Sequence, residues 1–226
     1  MKEDLVNYMN RRSQKLSKAI ENDGPVVTIS RDKGCPANSI AEKLAIKLMH
    51  LKKGEHWKWV NKEILEKSAR ELHMNPNKIN HILYSEDKGF FRDLMLSFGE
   101  RYYESDEKVK KTIAELIGEF SARGKVVIVG IGGVAITKSI KKALHIKLYA
   151  PYKFRLKEVE KRKKMNTEQA KEFIEETDVN RKMLIDYFNG KKATDDLFHA
   201  EFNCSLLNEE EIVKAIIDLM KVRKLI

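Results

Sequence analysis

The run Val26-Val-Thr-Ile-Ser-Arg-Asp-Lys-Gly-Cys-Pro-Ala-Asn-Ser-Ile-Ala-Glu-Lys-Leu44 constrains this chain more than any other segment. Its β-branched opening, residues 26–29, favours an extended strand. A polar turn follows, and Ile40, Leu44, Leu48 and Leu51 then recur at helical spacing. A strand that feeds a helix through a tight turn leaves the helix's first N–H groups unpaired beside the strand's carboxyl end. Those amides and the positive end of the helix dipole suit an anion. The segment therefore predicts a strand at 26–30, a helix over 38–52 and an anion-binding turn between them.

Four other stretches read as strands: Trp57-Lys-Trp-Val60, Val126-Val-Ile-Val129, His145-Ile-Lys-Leu-Tyr149 and Glu201-Phe-Asn-Cys204. Helices are expected at 3–22, 61–73, from Asn75-Pro76 onward, at 87–103, 105–123 and 151–164, from Asn166 to Phe188, and at 208–223. Asn166-Thr-Glu-Gln169 has the spacing of a capping box. Apolar runs separated by helices argue for a parallel sheet covered on both faces. The expected fold class is α/β, with three layers, five parallel strands and extra helices. Ligands in such sheets gather at the carboxyl ends of the strands, here Ser30-Arg31, Asn61, Gly130-Ile131 and Ala150. The expected division is an N-terminal helix at 1–24 and one domain at 25–226.

Composition narrows the function classes. With 42% hydrophobic and 35% charged residues, the chain reads as globular, and no apolar run approaches the ~18 residues of a membrane span. The charged start, Met1-Lys-Glu-Asp, lacks the apolar segment of a secretory signal, so a cytoplasmic setting is expected. Cys35 and Cys204 then read as two reduced thiols. A net charge of +10 predicts attraction to anions. It is spread along the chain without a nucleic-acid motif, which argues against a nucleic-acid-binding module. The six histidines show no metal-ligand spacing. Trp57 and Trp59 suit packing or the stacking of a base.

Further along, Ala170, Phe173, Ile174, Thr177, Leu184, Ile185 and Phe188 form a helical stripe that also contains Arg181. A guanidinium on an apolar face needs an anionic partner. Asp178, three residues earlier, is within helical reach.

Taken in order, several of these pieces resemble the cytidylate kinase-like branch of the P-loop nucleoside monophosphate kinases. They are Thr28-Ile-Ser-Arg-Asp-Lys-Gly34, Ile40-Ala-Glu-Lys-Leu44, Asn61-Lys-Glu-Ile-Leu65, Val127-Ile-Val-Gly130, His145-Ile-Lys-Leu-Tyr-Ala-Pro151, Thr177-Asp-Val-Asn-Arg181 and Phe202-Asn-Cys-Ser205. The resemblance implies a five-stranded parallel sheet, an acceptor-binding helical region at 55–123 and lid-like helices at 151–190. It implies magnesium-dependent transfer from ATP to a nucleoside monophosphate or related small acceptor. Ser30, Lys33, Gly34, Cys35, Ala37, Asn38 and Ser39 would hold donor phosphates, with Ser39 also assisting the metal. Arg31, Arg155, Arg162 and Arg181 would neutralise the transferring group, with Asp178 orienting Arg181. Asn61 and Gly130 would face the acceptor.

The chain also departs from the family's pattern. Ala37 stands where the loop motif has lysine, and Pro36 removes an amide from the turn. Ile131 replaces the usual arginine after the third strand, and Asn61 an aspartate. These changes keep open a nucleotide-binding relative with a sensing or protein-interaction role.

Overall fold

A computed structural model of the chain describes residues 25–51, 56–61, 113–115, 117–118 and 120–226. The helices expected at 3–22, 61–73, from 75 onward, at 87–103 and over 105–112 lie outside the described residues. The strands are β1 (Val26–Arg31), β2 (Lys58–Val60), β3 (Val126–Val129), β4 (Ala143–Tyr149) and β5 (Ala200–Asn203). Between them run α1 (Ala37–Leu51), the single turn α2 (Gly133–Ile136), α3 (Tyr152–Lys163) and α4 (Thr167–Asn189), and α5 (Glu209–Val222) follows β5.

All pairings are parallel, in the order β2-β3-β1-β4-β5. Side chains alternate across each strand, so the register sorts them into two layers. Val27 and Ile29 of β1, with Val127, Val129, Leu144, Ile146 and Leu148, face α1 and α5. Val26, Val126, Ile128 and Ala143 face the other way, against Ile113, Ile117 and Ile131. A sheet buried on both faces explains why its strands read as continuous apolar runs.

Capping residues set the helix limits. Asn166 accepts from Gln169 N–H while the Gln169 side chain accepts from Asn166 N–H. Asn208 and Glu211 repeat the arrangement at α5. Strand limits shift by at most two residues from those expected. β4 begins at Ala143, two residues before the predicted start, because Val26↔Ala143 and Val27↔Leu144 pair inside the sheet. The glycine-rich stretch after β3 is a left-handed turn opening α2, in which Gly130, Ile131 and Gly132 all have positive φ (69°, 54° and 67°).

Ile131 is the unusual member of that turn. A left-handed β-branched residue costs roughly 1–2 kcal/mol. Its side chain is 8% exposed within the second core layer, and burying an isoleucine returns about 1.5–3 kcal/mol. Burial outweighs the strain. Ile131→Gly is therefore expected to be more stable than Ile131→Ala, by about 1 kcal/mol in urea unfolding, the reverse of the order at an ordinary buried position.

A second polar feature sits within the sheet. Thr28 and His145 are register partners, and Thr28 Oγ1 shares a 2.8 Å hydrogen bond with His145 Nδ1. His145 N–H donates to His199 Nδ1 (2.9 Å). Burial first, then His199 and Arg223, push His145 from its usual 6.5 down to about 4. The folded state therefore holds His145 neutral where the unfolded chain would bind a proton. That contribution is complete above pH 6.5 and is lost as pH falls toward 4. It amounts to on the order of 3 kcal/mol. Urea midpoints measured from neutral pH downward should fall more steeply for the wild-type chain than for His145→Gln.

Candidate functional site

The site is built where β1 ends. Gly34 (φ 105°) allows the chain to turn, and a Cβ there would lie 2.9 Å from Arg155 Cα. Only glycine lets the turn lie this close to α3. Asp32 N–H donates to Leu148 O (3.0 Å), Cys35 N–H to Asp32 O (3.2 Å) and Ala37 N–H to Cys35 O (3.0 Å). The α1 ladder starts with Ile40 N–H donating to Pro36 O (3.1 Å), so the Asn38 and Ser39 amides lie ahead of it.

Side chains from α3 and α4 fasten this turn. Asp178 of α4 accepts from Lys33 N–H (2.7 Å) through Oδ1 and from Arg155 (2.6 Å) through Oδ2. Arg155 also donates to Ala150 O (3.1 Å) and Lys33 O (3.4 Å). Arg181 donates to Arg31 O (3.2 Å), with its Nη1 3.6 Å from Asp178. The expected Asp178–Arg181 pair is thus the looser one; Arg155, 23 residues earlier, holds the carboxylate directly.

Two cavities open at this edge of the sheet. The smaller, of about 360 Å³, is walled by residues 33–39 of the turn, by Arg162 and Lys163 from the end of α3, and by Glu209 at the start of α5. The larger, of about 530 Å³, lies between Ser30, Asp32, the turn at 130–132, Lys147, Leu184, Ile185 and Phe198. Arg31 and Arg181 line both. Arg31 lies over Gly130, where an added Cβ would fall 1.7 Å from its Nη1.

The smaller cavity is strongly cationic. Lys33 Nζ sits 4.0 Å from the centre of the Phe173 ring. Burial, then Arg181, Lys163 and Arg31, lower Lys33 to about 8. Burial likewise pushes Arg181 down, although Asp178 and Asp32 oppose it. Ser39 Oγ donates to Glu209 Oε2 (2.5 Å), and Lys43 Nζ lies 2.9 Å from the same oxygen. Burial favours the protonated form of Glu209, but the Ser39 and Lys43 bonds outweigh it and hold the carboxyl below its usual range. Across the boundary, burial and Asp178 raise Asp32.

Most residues singled out from sequence thus come together. Lys33, Gly34, Cys35, Ala37, Asn38, Ser39 and Arg162 line the smaller cavity. Ser30, Gly130 and Asp178 line the larger. Arg155 and Asn61 line neither: Arg155 lies beneath the turn, and Asn61 is buried at 4% exposure. Trp57, 3% exposed, packs in the main core. Sequence reasoning missed Asp32, Lys147, Lys163, Lys182 and Glu209, whose positions depend on long-range folding. Lys163 belonged to a basic run already visible in the sequence. Among the described residues no cluster of three or more His, Cys, Asp or Glu could hold a metal, and no helix is long and apolar enough to cross a membrane.

One solved structure shares this architecture, and two others are similar at lower scores. An uncharacterized protein from Eubacterium ventriosum ATCC 27560 superposes with a TM-score of 0.62 at 14% identity, covering 88% of this chain and 99% of the other. A shikimate kinase from Acinetobacter baumannii in complex with shikimate gives 0.49 at 14% identity (93% and 99% covered). A dephospho-CoA kinase from Campylobacter jejuni gives 0.40 at 15% identity (88% and 98% covered). No curated protein sequence matches the chain. The sequence profile of the cytidylate kinase-like family matches residues 26–205. With most of its length inside that match and a five-stranded parallel sheet, the chain belongs to the cytidylate kinase-like family.

Proposed function

We propose that the protein transfers the γ-phosphoryl group of ATP to a nucleoside monophosphate or a related small phosphoacceptor, in the cytoplasm. The observation that carries this reading is the pair of adjoining cavities that share Arg31 and Arg181. Donor phosphates occupy the smaller cavity and the acceptor the larger, so the phosphoryl group moves across the boundary. An acceptor oxygen bonds to the γ-phosphorus as the bond to the β-bridging oxygen breaks and ADP leaves. Catalysis of this kind rests on positioning and on neutralising charge spread over the equatorial oxygens. Two guanidinium groups at the boundary suit both tasks.

Lys33 supplies the cation that Ala37 cannot, and Arg162 and Lys163 cover the donor from the lid-like helices at 151–190. Asp178 and Arg155 act as positioning residues by holding the turn. The Ser39 hydroxyl and Glu209 carboxylate form a hard oxygen pair of the sort magnesium takes beside phosphate ligands. Those two residues would hold the ion, which when bound with ATP neutralises charge on the β and γ oxygens.

Specific observations also favour a second reading, a nucleotide-binding relative with a sensing or protein-interaction role. Asp178 occupies the Lys33 amide, and an apolar Ile131 lines the larger cavity. ATP binding without transfer across a panel of monophosphates selects that reading. Absence of both binding and transfer overturns the kinase reading and this one together.

In a magnesium-ATP assay with the best acceptor of the panel, Arg31→Ala is expected to lower kcat/KM about 10²–10³-fold, since one charge-stabilising donor is worth roughly that much. A change of less than about threefold would remove Arg31 from the transferring group. ATP affinity should also depend on pH through Lys33. Its ammonium attracts phosphate below its pKa of about 8 and loses its charge above it. Calorimetric Kd should therefore rise roughly tenfold between pH 7 and pH 9. Lys33→Met should bind weakly with a flat profile.

A further inference from the structure

We propose that Lys33 is an acylation site, modified by acyl phosphates whose phosphate group docks in the smaller cavity. Lys33 lines that cavity together with Arg31, Arg162, Lys163 and Arg181. Cations gathered around a space of about 360 Å³ suit a compact dianion. Glu209, a carboxylate on the same wall, is held by Ser39 Oγ and Lys43.

The backbone of Lys33 is fixed on both sides. Its N–H donates to Asp178 Oδ1 (2.7 Å) and its carbonyl accepts from Arg155 (3.4 Å). The side chain is tied less firmly. Half-buried, its Nζ makes no ion pair among the described residues and lies 4.0 Å from the centre of the Phe173 ring. Lys163 Nζ approaches the same ring at 5.8 Å, so ammonium groups from two cavity-lining residues converge on one aromatic face. Such a contact holds only the charged form. Losing its proton therefore releases the Lys33 amine from the ring. Burial, then Arg181, Lys163 and Arg31, eases that loss by lowering Lys33 to about 8. A partly desolvated lysine beside other cations makes a competent nucleophile near neutral pH. Lys163, by contrast, is exposed in the last turn of α3.

An acyl phosphate joins an anionic phosphate to an electrophilic carbonyl carbon through one bridging oxygen. The Lys33 ammonium first gives a proton to water. The nitrogen lone pair then attacks the carbonyl carbon, forming a C–N bond as the C–O bond to the phosphate breaks. The electron pair leaves with the phosphate, which also takes the second proton from nitrogen. The products are N-acyl-Lys33 and inorganic phosphate, and nothing is oxidised or reduced. Guanidinium groups around the phosphate stabilise the charge that develops on it. The amide is neutral, so acylation removes one cation from the cavity. Its effect on nucleotide affinity rests on the proposed occupancy of that cavity by donor phosphates; the modification itself does not.

The test incubates the full chain with acetyl phosphate and, in parallel, with the N-hydroxysuccinimide ester of acetic acid, which carries no phosphate. Peptide mapping should place the acetyl group from acetyl phosphate on Lys33. The rate should saturate with reagent, fall when inorganic phosphate is added, and rise with pH around 8. The ester should label exposed lysines without saturation. Arg162→Ala should slow acetylation of Lys33 by acetyl phosphate about tenfold and leave labelling by the ester unchanged. The chain acetylated at Lys33 should bind magnesium-ATP about tenfold more weakly at pH 7, a change worth ~1.4 kcal/mol, and its affinity should no longer vary between pH 7 and pH 9. Acetyl groups spread over exposed lysines or placed on Lys163 in preference to Lys33 would overturn the proposal. So would a rate without saturation, without protection by phosphate, or unchanged in Arg162→Ala. An unaltered affinity in the chain acetylated at Lys33 would overturn its coupling to the nucleotide. If the unmodified chain fails to bind magnesium-ATP, the functional reading falls, while the mapping and the rates still decide the modification.

Discussion

The bidentate use of Asp178 is the contact on which the site's shape depends. One carboxylate oxygen takes the Lys33 amide and the other takes Arg155, so a single side chain joins the turn after β1 to both α3 and α4. Exposed ion pairs contribute only tenths of a kcal/mol. This pair is different, because Arg155 is 13% exposed and both bonds are short and charge-assisted. Such bonds contribute on the order of 1.5–3 kcal/mol each. Without the carboxylate, Arg155 would retain its two backbone carbonyls, Asp32 at 4.0 Å and the Tyr152 ring at 5.4 Å. The turn would then lose its tie to α4, and Gly34 would have no reason to stay pressed against α3.

That fastening lets a crowd of like charges persist. Arg31, Lys33, Arg162, Lys163 and Arg181 surround one small cavity, opposed there by Glu209. The repulsion is visible in the lowered proton affinity of Lys33, to which three of those cations contribute. Like charges held this close cost stability, which the fastening of the turn must offset. The aromatic face of Phe173 beside the Lys33 and Lys163 ammonium groups softens the cost without removing their charge.

The fold was legible because its strands are buried on both faces and its helices carry local signals. Val126 to Val129 could hardly be anything but an interior strand, and Asn166 with Gln169 marks a helix start by chemistry that needs no tertiary partner. The turn at 30–39 was legible as a segment for the same reason. What lay hidden was pairing at long range. Nothing near Arg155 in sequence shows that it reaches back to Ala150 O and across to Lys33 O, and an i,i+3 rule pointed Asp178 at Arg181 when Arg155 lay closer. Glu209 is one of three acidic residues in the first turn of α5, yet it meets Ser39 across the molecule.

Ile131 shows how an apparent loss can redirect a site. Arginine at that position would suffer the same left-handed strain, since the turn fixes φ for any residue between Gly130 and Gly132. Isoleucine offsets the strain by burial in the second core layer, but leaves that wall of the larger cavity without charge. The cations remaining there are Arg31, Lys147, Arg181 and Lys182. Lys147 is already committed, with Asp195 at 2.7 Å and Glu201 at 3.3 Å. That cavity is not uniformly cationic, however, since Asp32 and Asp178 line it as well and both act on Arg181.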